Sequence, residues 1–318
     1  MQEQIIYFLK QNKDYLSGEE ISRSLNISRA GIWKHIQELR NFGYKIEAIP
    51  RKGYRLLSCP DKLFPWEVQF KLNTKIFGKK VIYHQEVAST MDEAFELGLK
   101  GAPGGTFVCA ETQTKGRGRM GRRWISPAGK GLYFSLLLRP RLSCSEAARL
   151  TLLSAVALCE ALINIGEIGV QIKWPNDLLV GERKIAGILT ELNAELDRVK
   201  FIVIGMGINV NAPVSQLPPG ATSLKIESAR KFSRIAVIQE VLRSFEKWYE
   251  VLNKDGFESV LDAWRKFSST LGKRIRLEDQ AGFVEGKAVD LAEDGGLLLL
   301  DDEGNIFKKM SGDVLPVR

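Results

Sequence analysis

The chain is poor in the residues that build metal sites and disulfide frameworks. Among 318 residues there are four cysteines and two histidines. Cys59, Cys109, Cys144 and Cys159 show no C-x-x-C spacing, and His35 and His84 are the only imidazoles. A structural zinc site and a disulfide scaffold are therefore not expected, and a cytoplasmic location fits best. No apolar run approaches the length of a membrane span. The N-terminus lacks the charged, apolar, small-residue order of a signal peptide, so no membrane partner is expected. A Walker A loop is missing too, because none of the Gly-Lys pairs at Gly78, Gly129, Gly272 and Gly286 is followed by Ser or Thr.

What is present is cationic. The formal net charge is +8, which favours an anionic partner without naming it. The run Lys115-Gly116-Arg117-Gly118-Arg119-Met120-Gly121-Arg122-Arg123 holds five cations, three glycines and no acid, and Trp124 follows it. Glycine permits close backbone approach to a ligand, and arginine offers forked donors for phosphate or carboxylate. Such a loop repels itself until an anion arrives, so ordering on ligand binding is expected, at a site that handles phosphate or adenylate. The run contains G-x-G-x-x-G, but residues 124–131 do not open a helix readily and no acid lies in Leu136–Arg141 for a ribose, which argues against a dinucleotide fold. A solvated basic loop is the plain alternative.

The first 62 residues read as a DNA-binding unit with 11 basic and 7 acidic residues. Ile5, Ile6, Phe8 and Leu9 mark a first helix. Ser17-Gly18-Glu19-Glu20 is a capping box opening a second helix, with Ile21 and Leu25 inward, and Ser28 caps a third from Arg29 to Phe42. This is a helix-turn-helix whose recognition helix presents Ser28, Arg29, Ala30, Gly31, Trp33 and Lys34. Two alternating segments, 44–49 and 53–57, form a wing with Arg51 and Lys52 at its tip for phosphates. A winged helix used only for protein contacts is the competing reading.

From Leu63 to about 270, strands alternate with helices: strands at 81–84, 106–111, 170–174, 184–192 and 201–209, a helix after Ser89 carrying Phe95, Leu97 and Leu99, an apolar helix from Ala147 to Ile165, and a helix pair from Ile235 to Phe267. Tight turns between several strands point to a mixed sheet. Lys184 follows the turn 180–183, which returns its strand towards Asp177. It reads either as a surface lysine with a buried stem or as an ammonium holding a substrate carboxylate. Asp177 suits Mg²⁺ beside phosphates. Gly205-Met206-Gly207-Ile208-Asn209 reads as a strand end open to a small ligand, or as a bulge. Residues 271–318 alternate like about five short strands, which suggests a small β-barrel.

In this order, the glycine–arginine loop, Lys173-Trp174-Pro175-Asn176-Asp177, Lys184-Ile185-Ala186-Gly187-Ile188 and Gly205-Met206-Gly207-Ile208-Asn209 resemble the biotin–protein ligases. With the winged helix in front, the chain is similar over essentially its whole length to the bifunctional ligases that also repress a biotin operon. The resemblance implies an α+β protein with a winged helix-turn-helix (1–62), a mixed-sheet α/β domain binding biotin and ATP (63–270) and a C-terminal β-barrel (271–318) engaging ATP and carrier. It implies that biotin and ATP, with Mg²⁺, give biotinyl-5′-adenylate. A lysine of a biotin carboxyl carrier protein then takes the biotinyl group, and the adenylate promotes a homodimer that binds operator DNA.

By motif, Ser89, Thr90 and Gln113 hold the ureido end of biotin. Arg117, Gly118 and Arg119, following Gly116, close over the ligand, and Gly187, Gly205, Gly207 and Asn209 complete the pocket. Lys184, Arg119 and Asp177 carry the chemistry. Met91 stands where the family pattern has Asn, so its contact is by backbone or absent, and no adenine-stacking aromatic is evident near Thr222–Leu224. A ligand-sensing regulator that no longer catalyses, and a lipoate or other acyl ligase on the same scaffold, are the alternative functions.

Overall fold

The structure is a computed structural model describing residues 1–12, 14–279 and 282–316. Contacts divide it into two compact units, Met1–Phe70 and Lys71–Arg318. In the first, α1 (Gln2–Gln11) buries Ile5, Ile6 and Leu9. Ser17 and Glu20 close a reciprocal capping box on α2 (Gly18–Leu25), which ends on Asn26 in the left-handed region. Ser28 accepts from the Gly31 amide to start α3 (Arg29–Asn41), whose buried stripe is Ile32, Ile36 and Leu39. Strands β1 (Lys45–Ile49) and β2 (Gly53–Ser58) form an antiparallel hairpin. Tyr54 exchanges backbone hydrogen bonds with Leu16 (2.8 and 2.9 Å), tying the hairpin to the helices. Gly53 has φ +109°, and a Cβ there would lie 2.0 Å from the Leu16 carbonyl oxygen, so this turn demands glycine.

The unit extends past the hairpin. In α4 (Pro65–Gln69), Glu67 accepts from the Tyr44 hydroxyl at 2.6 Å and pairs with Lys10 at 2.5 Å. Phe64 and Trp66 stack nearby, their ring centroids 5.0 Å apart.

The second unit is built on a seven-stranded sheet in the order β3-β4-β5-β9-β8-β7-β6. Its strands are β3 (Lys80–His84), β4 (Thr106–Ala110), β5 (Gly131–Leu138), β6 (Val170–Lys173), β7 (Asp177–Val180), β8 (Arg183–Glu195) and β9 (Arg198–Asn209). Only β3 and β4 pair in parallel, so the sheet is mixed as expected. Two strands escaped the sequence reading. β5 is buried at all eight positions and therefore shows no alternation, and β7 has only four residues.

Helix α5 (Thr90–Leu99) packs Met91 and Ala94 on Val108, Leu137, Phe201 and Val203, while Leu99, read as part of its apolar set, is exposed. Helix α6 (Ala147–Gly166) is long and apolar enough to cross a membrane by length and composition, contrary to the sequence expectation. Most of it is buried, packed against the sheet and helices α8 (Arg234–Asp255) and α9 (Phe257–Phe267). Continuous burial, rather than lipid, accounts for its composition. The short α7 (Leu224–Ser228) precedes them.

Strands β10 (Arg274–Asp279), β11 (Gly282–Leu291), β12 (Leu297–Leu300), β13 (Ile306–Lys309) and β14 (Asp313–Pro316) make an antiparallel sheet in the order β13-β12-β11-β10-β14. The expected strand number is present, but among the described residues no ladder joins β13 to β14 to close a barrel.

One buried charge pair anchors α8. Arg234 meets Glu111 at 2.7 Å, with side chains 1% and 3% exposed, and also donates to the Gly131 carbonyl at 3.3 Å. Replacing Arg234 with methionine strips a buried carboxylate of its counter-ion and is expected to cost ~3–5 kcal/mol. Denaturant titration checks this, and a loss below ~1 kcal/mol would refute the pair's structural weight.

Candidate active site

The glycine–arginine loop leaves β4 and folds as a hairpin. Trp124 donates its amide to the Gly116 carbonyl at 2.9 Å, and the Gly118 amide donates to the Arg122 carbonyl at 2.7 Å. Met120 and Gly121 turn the tip with φ of 53° and 72°. The loop has no acid of its own, and three of its guanidiniums find acceptors far off in sequence, while Arg123 donates to the nearby Thr114 carbonyl at 3.4 Å. Arg117 pairs with Asp92 (2.6 Å) and Glu191 (3.2 Å), Arg122 with Asp313, and Arg119 donates to the Asn176 side-chain oxygen at 3.0 Å. Burial, opposed by Asp177 and assisted by Arg122, holds the Arg119 guanidinium below its ordinary pKa. It stays charged at neutral pH.

Beneath the loop lies a cavity of about 190 Å³. Ser89, Thr90, Met91 and Gln113 line one end. Ser89 caps α5 by accepting from the Met91 amide at 3.2 Å. The Thr90 amide donates to Gln113 Oε1 at 2.9 Å, the Thr90 and Ser135 hydroxyls lie 2.9 Å apart, and Gln113 Nε2 donates to Ser126 Oγ at 3.1 Å. This end is uncharged and rich in hydrogen-bonding groups.

Arg117, Gly118 and Arg119 form the loop wall, and Asp177, Lys184, Gly187, Gly205, Gly207 and Asn209 line the sheet side. Among the proposed ligand-binding residues, Gly116 alone stays out of the lining. Its carbonyl holds Trp124, and a Cβ there would lie 2.6 Å from the Trp124 carbonyl oxygen, so its part is to close the loop.

Lys184 reaches the cavity through a bulge. In the β7–β8 ladder Leu178 faces Ala186 but Leu179 faces Lys184, so Ile185 is extra. The bulge resets the alternation and puts Lys184 on the same face as Gly187 and Asp177. Its ammonium lies 2.6 Å from Asp177 Oδ1 and 5.6 Å from the centre of the Trp124 ring. Its backbone bonds to Gly220 and Thr222 (2.8 Å each). Nearby Lys173 is held below the usual lysine pKa by burial, with Lys184 and Arg122 adding to the shift and Asp177 opposing it.

The glycines of β9 are not a bulge, because their register with β5 runs unbroken from Asn209 to Ile202. Nor is their face left bare. A Cβ at Gly205 would lie 2.4 Å from Met91 Sδ, and one at Gly207 2.4 Å from Trp124 Cε2. Glycine there makes room for a thioether and an indole, which form the pocket floor. Trp124, Asn176 and Asp313 line the cavity without having been singled out as ligand contacts, and Arg122 of the basic run joins them there. The signal for Trp124 was its place directly after the basic run. The Trp124 Nε1 proton is buried and finds no acceptor among the described residues.

Among the described residues no cluster of three or more His, Cys, Asp or Glu is placed to hold a metal.

In the first unit the proposed DNA contacts all reach the surface. Ser28, Arg29, Ala30, Trp33, Lys34, Arg51 and Lys52 are exposed and Gly31 is half-buried. Arg29 pairs with Glu19 at 3.0 Å, and Trp33 is 59% exposed at the outer face of α3.

A cavity with a neutral hydrogen-bonding end and a cationic end, on a chain that also carries a helix-turn-helix, defines an anion-activating enzyme with a DNA-binding unit. Residues 83–209 match the biotin/lipoate A/B protein ligase family, 1–55 an HTH domain and 270–315 the biotin protein ligase C-terminal domain. The bifunctional ligase/repressor BirA of Bacillus subtilis is 42% identical over 96% of this chain and 95% of its own length. That of Escherichia coli is 32% identical over 96% and 94%. A solved structure of biotin protein ligase from Aquifex aeolicus in complex with biotin and ATP matches with TM-score 0.65 and 34% identity, covering 74% of this chain and 98% of that one. The chain belongs to the family of bifunctional biotin protein ligases and repressors.

Proposed function

We propose that this protein activates biotin with ATP and transfers it to a carrier lysine, and that the product of the first step controls its binding to operator DNA. The observation that carries the reading is the two-ended cavity. Thr90 and Gln113 suit the uncharged ureido head, while Arg119 and Lys184 face the carboxylate and the α-phosphate. In the first step a carboxylate oxygen of biotin bonds to the α-phosphorus, and the bond to the pyrophosphate oxygen breaks. Two anions must meet, and fixed cations lower that barrier by positioning and electrostatic stabilisation, with no side-chain nucleophile. Asp177 orients Lys184 and is the residue to hold Mg²⁺, which when bound supplies charge neutralisation on the phosphates.

In the second step the carrier amine attacks the biotinyl carbonyl and AMP departs. The division of labour is a winged helix for DNA, its compact unit running to Phe70 rather than ending at 62, then the region up to 270 for biotin and ATP, and 271–318 as a C-terminal lobe. Four free thiols fit the cytoplasm. The loop does not await an anion to order, since Asp92, Glu191 and Asp313 already hold its arginines. Exchange of these acids for the adenylate would favour a homodimer presenting two recognition helices to two half-sites.

Purified protein given biotin and ATP is expected to accumulate bound biotinyl-5′-adenylate and release pyrophosphate. The same assay with lipoate is expected to give neither. Turnover with lipoate but not biotin would overturn the substrate, and binding without turnover would make the domain a sensor only.

A further inference from the structure

A second cavity, of about 290 Å³, lies beside the first and shares four lining residues with it: Arg119, Asn176, Ile188 and Leu189. We propose that this cavity is the corridor through which the acceptor lysine reaches the activated acyl group, an inference that rests on the biotin-adenylating reading above. The shared wall is the cationic end, where that reading puts the reacting carbonyl. A nucleophile entering through the first cavity would have to pass biotin and nucleotide, whereas one entering here meets the acyl carbon directly.

The chemistry of the walls fits a four-carbon stem ending in an amine. Leu152 and Ile188 (each 2% exposed), with Met120 and Met310 at the rim (63% and 45%), give an apolar sleeve. Methionine at the rim adapts to a moving aliphatic chain. The Thr151 and Thr190 hydroxyls lie 2.8 Å apart in the wall. The Asn176 side-chain oxygen, held by Arg119, marks the inner end. Arg119, Arg122 and Lys184 disfavour an ammonium there, so the lysine reacts as the free amine. Its nitrogen bonds to the biotinyl carbon, the carbon–oxygen bond to phosphate breaks, AMP leaves with the electron pair, and the amine proton passes to solvent.

The test fills the corridor from residues outside the adenylate pocket, using Ala148→Trp and Thr151→Trp in the full chain. Three readouts are followed: biotin-dependent ATP–pyrophosphate exchange, transfer to a lysine-bearing biotin acceptor domain, and acyl transfer to hydroxylamine, which is small enough to bypass a blocked sleeve. Transfer to the acceptor domain is expected to fall at least tenfold, with exchange and hydroxylamine transfer within twofold of the parent. Ala148→Ser is expected to behave as the parent does. Met310→Trp, at the exposed rim, gives the same readout should a helix variant fail to fold. Undiminished transfer to the acceptor domain in the tryptophan variants overturns the corridor, as does an equal loss with hydroxylamine. Absence of biotin-dependent exchange in the parent would instead remove the underlying reading.

Discussion

Lys184→Ala is expected to lower the rate of biotinyl-adenylate formation by ~10²–10³-fold, the loss typical of removing one preorganised donor from developing negative charge. Stability should change little, because Lys184 is a third exposed and its partner Asp177 a quarter exposed, both against the solvent-reaching cavity. The structure adds a discriminating control. Lys184 points at the cavity only because Ile185 is bulged out of the β7–β8 ladder. Deleting Ile185 leaves Lys184 opposite Leu179 and on the cavity face in a regular ladder, so this variant should adenylate biotin far better than Lys184→Ala. Pyrophosphate release measured at saturating biotin and ATP separates these cases. A Lys184→Ala enzyme within threefold of the parent would remove this lysine from the chemistry.

Gly207→Val should be nearly as damaging, for a different reason. No side chain at position 207 touches substrate, and the strand conformation there accepts any residue. The objection is space, since even a Cβ comes within 2.4 Å of the Trp124 indole. Displacing that ring moves the surface on which the Lys184 ammonium rests and the end of the basic loop that Gly116 clasps. Misplacement of catalytic groups by about an ångström is enough for a ~10²-fold loss. Overpacking should cost ~1–3 kcal/mol besides. The diagnostic is coupling: with Trp124→Ala already in place, Gly207→Val should cost little more activity, because the clash is gone. Additive losses in the double variant would show that Gly207 faces ligand and not Trp124.

Both predictions turn on the difference between what local sequence dictates and what assembly dictates. Caps, periodicities and turn residues are short-range physics, so the capping box at Ser17, the Ser28 cap, the Gly53 turn and the presence of helix α6 were legible from neighbours a few residues apart. Composition was legible as well, and a run of cations and glycines without an acid announces an anion site wherever it lies. Strands buried on both faces, such as β5, lose the alternation that marks a strand, and α6 shows how a core helix imitates a membrane span.

The acceptors of the loop arginines lie beyond the reach of any local pattern. Asp92, Glu191 and Asp313 meet them only once α5, β8 and β14 are in place. The glycines of β9 look like a ligand's approach, yet the groups that need the room are Met91 and Trp124. By itself the sequence determined which elements form and that a cationic, glycine-lined site exists, because those follow from contacts within a few residues. Only the tertiary structure decided which face Lys184 serves, which acids hold the loop and what fills the glycine face. Those depend on strand register and on packing between segments up to 191 residues apart.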